Sequence, residues 1–242
     1  MDHLIYFILL ALLAEILGTV GGFGSSLFFV PIASYFLDFH SVLGVTAMFH
    51  VLSNLTKIGF FNKGVDKKLI LNLGIPAVLF VILGAYLSQF INTKWLEIAL
   101  SVFLIGLSLF FLIFKNIIIK PNTFNSVTGG ITSGFIAGLI GTGGSIRGMT
   151  LAAFNLRMEV FIATSAVIDL AIDSSRTVVY ALNGFVRKDD LYLLPILLVV
   201  SIIGTFIGKK LLDKISEEQF KKVVLILILV TGIITAIKAL LF

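Results

Sequence analysis

Long apolar stretches, separated by short polar links, run along the whole chain. They lie at 4–18, 25–37, 41–61, 69–91, 95–114, 124–140, 146–156, 159–182, 191–211 and 219–241. Six of them reach the roughly 20 residues that a helix needs to cross a bilayer, and 124–140 is borderline. The mean hydropathy of +1.11 and the apolar content of 58% exceed what a soluble core requires. The pattern predicts an all-α integral membrane protein in which residues 1–242 form a single transmembrane domain.

Three stretches are too short to span a bilayer, and each lies beside a cluster of glycines. They are 4–18 and 25–37, which flank GTVGGFGSS at 18–26, and 146–156, which follows GTGGS at 141–145. Glycine adopts backbone conformations that end a helix. We therefore expect half-helices or re-entrant hairpins at these two places. The first stretch lacks a cleavage site and contains Glu15, so we interpret it as a retained membrane segment and not as a signal peptide.

The two halves of the chain resemble each other. AEILGTVGG at 14–22 matches AGLIGTGG at 137–144, and the segment 44–61 matches 163–180. Three further pairs follow in register: Gly64 with Gly184, Pro76 with Pro195, and Gly84 with Gly204. We predict internal repeats at 1–115 and 124–242, each with about five hydrophobic segments. An odd number of segments turns the second repeat upside down relative to the first, and inverted repeats with glycine-broken helices are typical of transporters.

The positions of the basic residues favour this inverted arrangement. If all ten segments are counted, one side of the membrane carries eleven of them: Lys63, Lys67, Lys68, Lys115, Lys120, Arg157, Lys209, Lys210, Lys214, Lys221 and Lys222. The other side keeps five: Lys94, Arg147, Arg187, Lys188 and Lys238. If each glycine-broken pair crossed only once, the two sides would be nearly equal. The positive-inside rule therefore predicts that the first side is cytoplasmic and that both termini lie on the outer side of the cell membrane.

The two glycine clusters are candidate anion sites. A helix that starts after a break presents free N–H groups and the positive end of its dipole. The candidate donors in the two clusters are Thr19, Gly21, Gly22, Ser25, Thr142, Gly143, Gly144 and Ser145. The alternative is that these glycines only permit tight bends and close packing. Nearby, Gly130, Gly134 and Gly138 form a ridge of small residues that we expect to pack closely against another helix.

Polar residues recur on one face of two predicted membrane helices. His50, Asn54 and Lys57 share one helix face, and the second half repeats the spacing with Asp169, Asp173 and Arg176. Ionisable residues in a membrane helix usually face a bundle interior or a wet cavity. Lys57 and Arg176 could neutralise an anion, Asn54 could bind it, and His50, Asp169 or Asp173 could carry a proton or balance charge. The alternatives are a structural cluster with Asp173–Arg176 and Lys57–Asp169 pairs, or a Lys57 that snorkels outward.

Arg147 and Glu15 are two further charged residues near the glycine clusters. Arg147 follows the second cluster directly, where it could be a third cation at the anion site or simply mark a helix end near water. Glu15 precedes the first cluster, and its repeat equivalent is Gly138. Glu15 could lie near the surface, pair with a cation or relay protons, and the sequence does not distinguish these roles.

The sequence also excludes several classes of function. There are no cysteines, so disulfides and Cys-based metal sites are excluded. No ATP-binding motif occurs, because GLIGTGGS at 138–145 lacks the lysine of a phosphate-binding loop. We expect no cofactor, no metal and no nucleic-acid partner, since no loop is long enough to form a nucleic-acid surface. An intramembrane aspartyl protease needs two aspartates that face each other from different helices. It is excluded because Asp169 and Asp173 lie on one predicted helix and the first half contains no intramembrane aspartate to face them.

At these residues the chain resembles a known family. The entries LGTVGGFGSSLFFVP and AGLIGTGGS open two repeated halves, and each precedes a helix with buried polar residues. This organisation resembles the TauE/SafE sulfite exporter family of membrane permeases, over essentially the whole chain. The resemblance implies transport of sulfite, thiosulfate, sulfonates or related sulfur-containing anions. We therefore expect a secondary transporter of small anions with no enzymatic activity, and keep a passive anion channel and a non-transporting structural subunit as alternatives.

Overall fold

The computed structural model describes residues 2–21, 24–114, 119–212 and 217–241. Within these ranges the chain is helical and contains no strand. The first half forms α1 Asp2–Gly21, α2 Ser26–Ala33, α3 Phe39–Phe60, α4 Lys67–Ser88 and α5 Thr93–Ile113. The second half forms α6 Thr123–Ile140, α7 Gly144–Ala152, α8 Met158–Leu182, α9 Leu193–Leu212 and α10 Glu217–Leu241. The all-α prediction is confirmed.

Four of the helices begin at an Asp or Asn whose side chain accepts a hydrogen bond from the first turn. These N-caps are Asp38 for α3, Asp66 for α4, Asn92 for α5 and Asn122 for α6. Such residues satisfy backbone N–H groups that have no acceptor within the helix. The caps therefore fix where the long helices start, and the short polar links of the sequence become the loops between them.

Five helices in the described part of the chain are long and apolar enough to cross a membrane. They are His3–Gly21, Lys67–Ser88, Thr93–Ile113, Leu193–Leu211 and Val224–Leu241. The prediction that the first stretch is short is therefore wrong, because α1 has 20 residues and continues through Gly18 to Gly21. We also predicted spans at 41–61 and 159–182. The corresponding helices α3 and α8 have sufficient lengths of 22 and 25 residues, but their polar side chains lower their hydropathy.

The short α-helices α2 and α7 have 8 and 9 residues and are largely buried. Each packs back against the helix before it. A methyl group at Gly18 in α1 would lie 2.3 Å from the backbone nitrogen of Ser25, and one at Gly143 would lie 2.1 Å from the carbonyl oxygen of Ser133 in α6. The chain therefore reverses direction at both glycine clusters. Gly24 and Gly141 have φ values of +84° and +83° there, which glycine adopts without strain.

The ridge of small residues on α6 packs closely against α4, as predicted. Methyl groups at Gly130, Gly134 and Gly138 would lie 2.3, 2.2 and 2.2 Å from the carbonyl oxygens of Leu73, Ala77 and Val81, respectively. The residue numbers increase in the same direction along both helices, so the two helices run parallel. Helix α1 packs in a corresponding way against α9, where Gly204 faces Glu15 and Gly208 faces Thr19. These helix pairs place the two hairpins beside each other at the centre.

Helices α3 and α8 pack against each other in antiparallel orientation. At one end Lys63 pairs with Glu159 at 3.0 Å, and at the other Arg187 pairs with Asp38 at 3.1 Å. Helices α5 and α10 are also antiparallel, with Lys238 near the end of α10 bound to Glu97 near the start of α5 at 2.8 Å. The polar faces of α3 and α8 consequently meet in the middle of the molecule, next to the glycine clusters.

Candidate functional site

The two glycine clusters meet at the centre of the molecule. The hydroxyl group of Thr142 donates a hydrogen bond to the hydroxyl of Ser26 at 3.1 Å. A methyl group at Gly24 would lie 3.9 Å from Nη2 of Arg147. The second half of the chain thus contributes a cation to the break in the first half. The breaks and the facing sides of α3 and α8 together enclose two small polar cavities.

Each cavity has a volume of about 20 Å³, which is room for about one water molecule. The first is lined by Gly24, Ser26, His50, Asn54, Lys57, Ala137, Gly141, Gly143, Gly144, Arg147, Asp169, Ile172, Asp173 and Arg176. The second is lined by Gly18, Thr19, Gly24, Lys57, Ile162, Ser165, Ala166 and Asp169. The cavities share Gly24, Lys57 and Asp169. The polar residues that the sequence singled out therefore converge on one place.

Glu15 lies at the centre of a hydroxyl-rich cluster in the first half. Its side chain is fully buried, so it does not lie near the surface. Its Oε1 accepts from Ser53 at 2.6 Å and from Thr205 at 3.2 Å, and its Oε2 accepts from Ser25 at 2.6 Å. Four helices, α1, α2, α3 and α9, meet around this carboxylate. Hydroxyl groups can either donate or accept, so these partners can adapt to either protonation state of Glu15.

Lys57 is the cation that pairs with Glu15. Its Nζ lies 3.0 Å from Glu15 Oε1 and donates to Ser53 at 2.8 Å. The predicted pairing of Lys57 with Asp169 is therefore wrong, and so is the outward-snorkelling alternative, because Lys57 is buried. The physical reason is that the Glu15 side chain on α1 reaches the polar face of α3, where Ser53 also donates to it. Lys57 nevertheless lines both cavities, so its charge is adjacent to the space at the centre.

Arg147 and Asp169 form a forked ion pair across α7 and α8. Nη1 lies 2.5 Å from Oδ1 and Nη2 lies 2.6 Å from Oδ2, which is the bidentate geometry that guanidinium groups favour. Nε donates to Ser165 at 3.4 Å. Among the described residues, two of the five N–H groups of Arg147 have no partner. Arg147 is buried beside the cavity, so it does not mark a helix end near water.

Arg176 is held on all sides. Its Nε and Nη2 lie 2.8 and 2.7 Å from Asp173 Oδ1, which confirms the predicted pairing of these two residues. Its Nη1 donates to the carbonyl oxygens of Ala137 and Gly141 at 3.1 and 2.8 Å, and Nη2 lies 3.5 Å from His50 Nδ1. A cation at the C-terminus of α6 is stabilised by the negative end of the helix dipole and by the carbonyl oxygens of the last turn. All five N–H groups of Arg176 are thereby used.

Asp173 and the end of α6 receive further hydrogen bonds. Asn54 donates from Nδ2 to Asp173 Oδ2 at 2.7 Å, which joins α3 to α8. Tyr180, one turn beyond Arg176, donates to the carbonyl oxygen of Gly138 at 2.6 Å. The partners of Asp173 are a guanidinium and an amide N–H, which can only donate, so they match the ionised carboxylate. This part of the site has a fixed pattern of hydrogen bonds.

His50 joins the two clusters. Its Nε2 lies 2.8 Å from the hydroxyl oxygen of Ser25, which itself donates to Glu15. Its Nδ1 faces Arg176. If the Ser25 hydroxyl donates to Glu15, the matching tautomer of His50 has its proton on Nε2 and leaves Nδ1, 3.5 Å from Nη2 of Arg176, as an acceptor. A continuous row of hydrogen bonds therefore runs from the cavity wall to Glu15.

The first turn of α7 carries a buried hydroxyl group without a partner. Within the described ranges, no hydrogen-bond partner of Ser145 Oγ is found, and the side chain is buried. The backbone N–H groups at the start of a helix also lack acceptors within that helix. Gly143 and Gly144, which precede Ser145, line the first cavity. The start of α7 therefore presents donors close to Arg147.

The remaining predicted residues fall into three groups. Thr19 lines the second cavity, and Thr142 joins the two breaks through Ser26. Gly21 is the last residue of α1 and lines neither of these two cavities as far as the described residues define them. Gly22 lies outside the described residues. Among the predicted residues that the structure describes, all except Gly21 and Ser145 therefore lie in the polar centre or are hydrogen-bonded directly to it. Ser145 lies in the first turn of α7.

Sequence reasoning missed several polar partners. Ser53 precedes Lys57 by four residues, and Ser165 precedes Asp169 by four, so helical spacing alone could have found them. Thr205 donates to Glu15 from α9. No local signal connects positions 15 and 205, because their contact depends on how α1 packs against α9. Gly24 and Ser26 belong to the first glycine cluster, and both line the first cavity because the chain reverses direction there.

The central charges balance one another. Lys57, Arg147 and Arg176 are each paired with one carboxylate, and all three pairs are buried or nearly so. Such pairing is the condition under which charges persist in a membrane interior. The arrangement offers cationic and N–H donors around a small polar space, which is the chemistry that recognises an oxyanion.

The comparisons with known proteins bear on the identity of the chain. The family model described as "Sulfite exporter TauE/SafE" matches residues 7–235, which is nearly the whole sequence. No curated protein and no solved structure matches the chain. The family is one of membrane transporters, not of enzymes, and its description implies a small anion as substrate. Together with the apolar helices and the buried cations, this match shows that the chain is a multi-pass membrane protein that belongs to the TauE/SafE sulfite exporter family.

Proposed function

We propose that this protein is a secondary transporter of small sulfur-containing anions, of the sulfite, thiosulfate or organic sulfonate class, and that its binding site is the polar centre between α3 and α8. The observation that carries this proposal is the convergence of three buried cations and two glycine breaks on one cavity. Sulfur oxyanions present several acceptor oxygens and no donors when fully ionised. Guanidinium, ammonium and backbone N–H groups present only donors.

The residues have different roles in this proposal. Arg147 contacts the anion first, because two of its N–H groups have no partner among the described residues. Lys57 adds charge, Asn54 and Arg176 shape the opposite wall, and the start of α7 contributes the N–H groups of Gly144 and Ser145. Of the donors predicted in the first break, Thr19 lines the second cavity and serves the same anion from the other hairpin, whereas the Ser25 hydroxyl donates to Glu15.

The carboxylates and His50 have a different task. Asp169 and Asp173 balance the charges of Arg147 and Arg176 when no anion is present, since an unpaired buried charge is strongly destabilising. His50 connects the cavity to the first-half cluster. Charge balance and proton coupling are therefore properties of the same group of residues.

Inverted repeats are part of the same proposal. The antiparallel packing of α3 with α8 and of α5 with α10 is what two oppositely oriented halves would give. The reciprocal pairs α1–α9 and α4–α6 support the same symmetry. In this arrangement the two hairpins are re-entrant. The protein lies in the cell membrane with the end that carries Lys63 and Lys209 on the cytoplasmic side, and both termini face outward.

The space between the halves implies movement during transport. A cavity of about 20 Å³ holds a water molecule and is too small for a sulfur oxyanion. The polar centre is therefore closed in this conformation, and it must widen before an anion binds. A transporter that alternates between closed and open states behaves in this way, whereas a passive channel requires a continuous path.

Thermal stability of the detergent-purified protein tests the proposal directly. The panel contains sulfite, thiosulfate, methanesulfonate, sulfate and acetate, because a ligand that binds only the folded state raises the Tm. We expect a saturable increase with at least one sulfur oxyanion. The charge-neutral variant Arg147→Gln/Asp169→Asn should lose it. The matched control Arg187→Gln/Asp38→Asn removes an exposed ion pair away from the cavity and should keep it.

Two results would contradict the proposal. One is the absence of a Tm shift with every sulfur oxyanion in a protein that melts cooperatively. The other is an unchanged shift in Arg147→Gln/Asp169→Asn. Flux into liposomes separates a transporter from a channel: saturable uptake that a proton gradient changes supports the transporter, and non-saturating flux that follows only the anion gradient supports the channel.

A further inference from the structure

The charge balance of the polar centre sets a condition on anion binding. Lys57, Arg147 and Arg176 are opposed by Glu15, Asp169 and Asp173, so the buried net charge is zero when His50 is neutral. An anion that enters this centre alone leaves one negative charge uncompensated. Isolated buried charges are costly, and protonation of a carboxylate removes that cost. The inference that follows rests on the proposed anion transport and identifies where this proton goes.

The hydrogen-bond partners distinguish the three carboxylates. Asp173 receives bonds from a guanidinium and an amide, which are donors only, so a proton on Asp173 would disrupt them. Asp169 also accepts from the Ser165 hydroxyl at 3.3 Å, but both of its oxygens are held in the fork of Arg147 at 2.5 and 2.6 Å, so a proton on either oxygen would break one arm of the fork. Glu15 is surrounded by the hydroxyls of Ser25, Ser53 and Thr205, which can rotate and accept. Glu15 is therefore the carboxylate whose surroundings suit both protonation states.

A route for the proton leads from the cavity to Glu15. His50 lines the first cavity, Ser25 lies 2.8 Å from His50 Nε2, and Glu15 Oε2 lies 2.6 Å from the Ser25 hydroxyl. Each member of this row can both accept and donate a proton. Glu15 itself is fully buried and lines neither of the two central cavities formed by the described residues. The row is thus its connection to the substrate space.

We propose that Glu15 takes up one proton, through His50 and Ser25, each time a monovalent anion binds, and that this releases Lys57 to hold the anion. The proton arrives at Nδ1 of His50, the Nε2 proton moves to Ser25, and the Ser25 proton moves to Oε2 of Glu15. His50 ends neutral with its proton on Nδ1, Ser25 ends with one proton, and Glu15 ends as the neutral acid. Lys57 then has no carboxylate partner and turns toward the cavities that it already lines.

The charged groups around the row fit this sequence. Arg176 on α8 faces His50 Nδ1, and Lys57 and Arg147 line the same cavity, so a lasting charge on His50 is opposed by three cations. Asp169 and Asp173 face the cavity from α8 but remain tied to their arginines. Around Glu15, Lys57 is the charged neighbour, and α1, α2 and α9 contribute hydroxyls. The proton therefore passes through His50 and stays on Glu15.

Proton uptake on anion addition tests this inference. Methanesulfonate is added to weakly buffered protein in detergent between about pH 5 and pH 8, a range in which the charge of this anion is constant. We expect the wild type to take up one proton per anion and its Kd to weaken about tenfold per pH unit at the alkaline end. Glu15→Gln mimics the protonated acid. It should bind methanesulfonate with no proton uptake and with a Kd that does not depend on pH.

A matched control is provided by a second Glu–Lys pair, which is half-buried. Glu97 binds Lys238 at 2.8 Å, and neither residue lines the two central cavities. Glu97→Gln should therefore retain one proton per anion. If Glu15→Gln does not fold, infrared difference spectra of the wild type take the place of the measurement on this variant. Anion binding must then produce the band of a protonated carboxylic acid, and Glu15→Asp must shift it.

The outcomes separate this inference from the proposed function. If Glu15→Gln binds methanesulfonate with the wild-type proton uptake, or if the infrared band is absent, the role of Glu15 is overturned and anion transport stands. If no sulfur oxyanion binds the wild type at any pH, the proposed function fails and this inference fails with it.

Discussion

The two halves of the molecule hold their buried cations in different ways. In the first half, Lys57 binds a carboxylate that is otherwise surrounded by hydroxyl groups. In the second half, Arg176 binds Asp173 and two carbonyl oxygens at the end of α6. The sequence repeat places Lys57 and Arg176 at equivalent positions. Each cation reaches the opening helix of its own half, one through the side chain of Glu15 and the other through the backbone.

This difference follows from a single matched position. Glu15 on α1 corresponds to Gly138 on α6. Where the carboxylate is present, the cation pairs with it. Where glycine stands instead, the carbonyl oxygens at 137, 138 and 141 accept from Arg176 and Tyr180. Guanidinium and phenol donors fix one pattern of hydrogen bonds, whereas hydroxyl groups allow two. The comparison indicates a rigid half and a half that can change its protonation state.

The largest effect is expected from removing the two cations in turn. Arg176→Gln leaves Asp173 buried without its cation and the end of α6 without its guanidinium donors, so we expect a loss of about 3–5 kcal/mol in the free energy of unfolding, and loss of transport. Lys57→Gln leaves Glu15 with its hydroxyl donors and free to take a proton, so the loss should be about 1–3 kcal/mol. Unfolding in a denaturing detergent, followed by circular dichroism, measures both.

A double variant controls for charge in this first prediction. Arg176→Gln/Asp173→Asn removes both charges and should recover most of the stability without restoring transport. Equal losses in Arg176→Gln and Lys57→Gln would show that the two halves do not differ in rigidity.

A smaller effect is expected from matched glycines on the partner helices. Gly84 and Gly204 occupy equivalent positions. A methyl group at Gly84 would lie 2.3 Å from the carbonyl oxygen of Phe135, which is backbone and cannot move freely, whereas one at Gly204 would lie 2.8 Å from side-chain carbons of Glu15. We expect Gly84→Ala to cost about 3 kcal/mol, near the upper end for overpacking, and Gly204→Ala about 1 kcal/mol. The Tm of each purified variant measures this.

A position with open space serves as the control for these glycines. A methyl group at Gly106 in α5 would meet no atom within 4 Å, so Gly106→Ala should leave the Tm unchanged or raise it. If Gly204→Ala lowers the Tm as much as Gly84→Ala, the packing around Glu15 is as rigid as the α4–α6 interface, and the comparison fails.

The parts of this structure that depend on local spacing were predictable from the sequence. The Asp173–Arg176 pair lies within one helical turn, and the ridge of Gly130, Gly134 and Gly138 lies on one helix face. The two breaks were also predictable, because glycine clusters interrupt apolar runs. The ends of the helices were less predictable. Helix α1 continues past Gly18, because glycine permits a break without requiring one.

The contacts between distant segments were not predictable from spacing. One alternative from the sequence paired Lys57 with Asp169 across the two helices, but Lys57 pairs with Glu15 on α1. The sequence left the role of Glu15 open, since the repeat offers only Gly138 at that position. The hydroxyl of Thr205 reaches Glu15 through packing of α1 on α9, which no motif encodes. Charged residues in a membrane protein can thus be located from sequence, while their partners depend on tertiary packing.

The smallest effect is expected at a hydroxyl group that contributes no bond to the closed state. Ser145 Oγ has no partner in the part of the chain that the structure describes, so Ser145→Ala should leave the Tm unchanged. If α7 presents its first turn to the anion, the variant should bind the anion more weakly by about 0.5–1.5 kcal/mol, which is the net value of one hydrogen bond.

Ser108 on α5 is also buried without a partner among the described residues and lines neither central cavity, so Ser108→Ala is the matched control. Isothermal titration of the anion into each variant measures the difference. A Kd for Ser145→Ala equal to that of Ser108→Ala would remove the α7 hydroxyl from the site, and would leave the anion to the arginine fork and the backbone of the break.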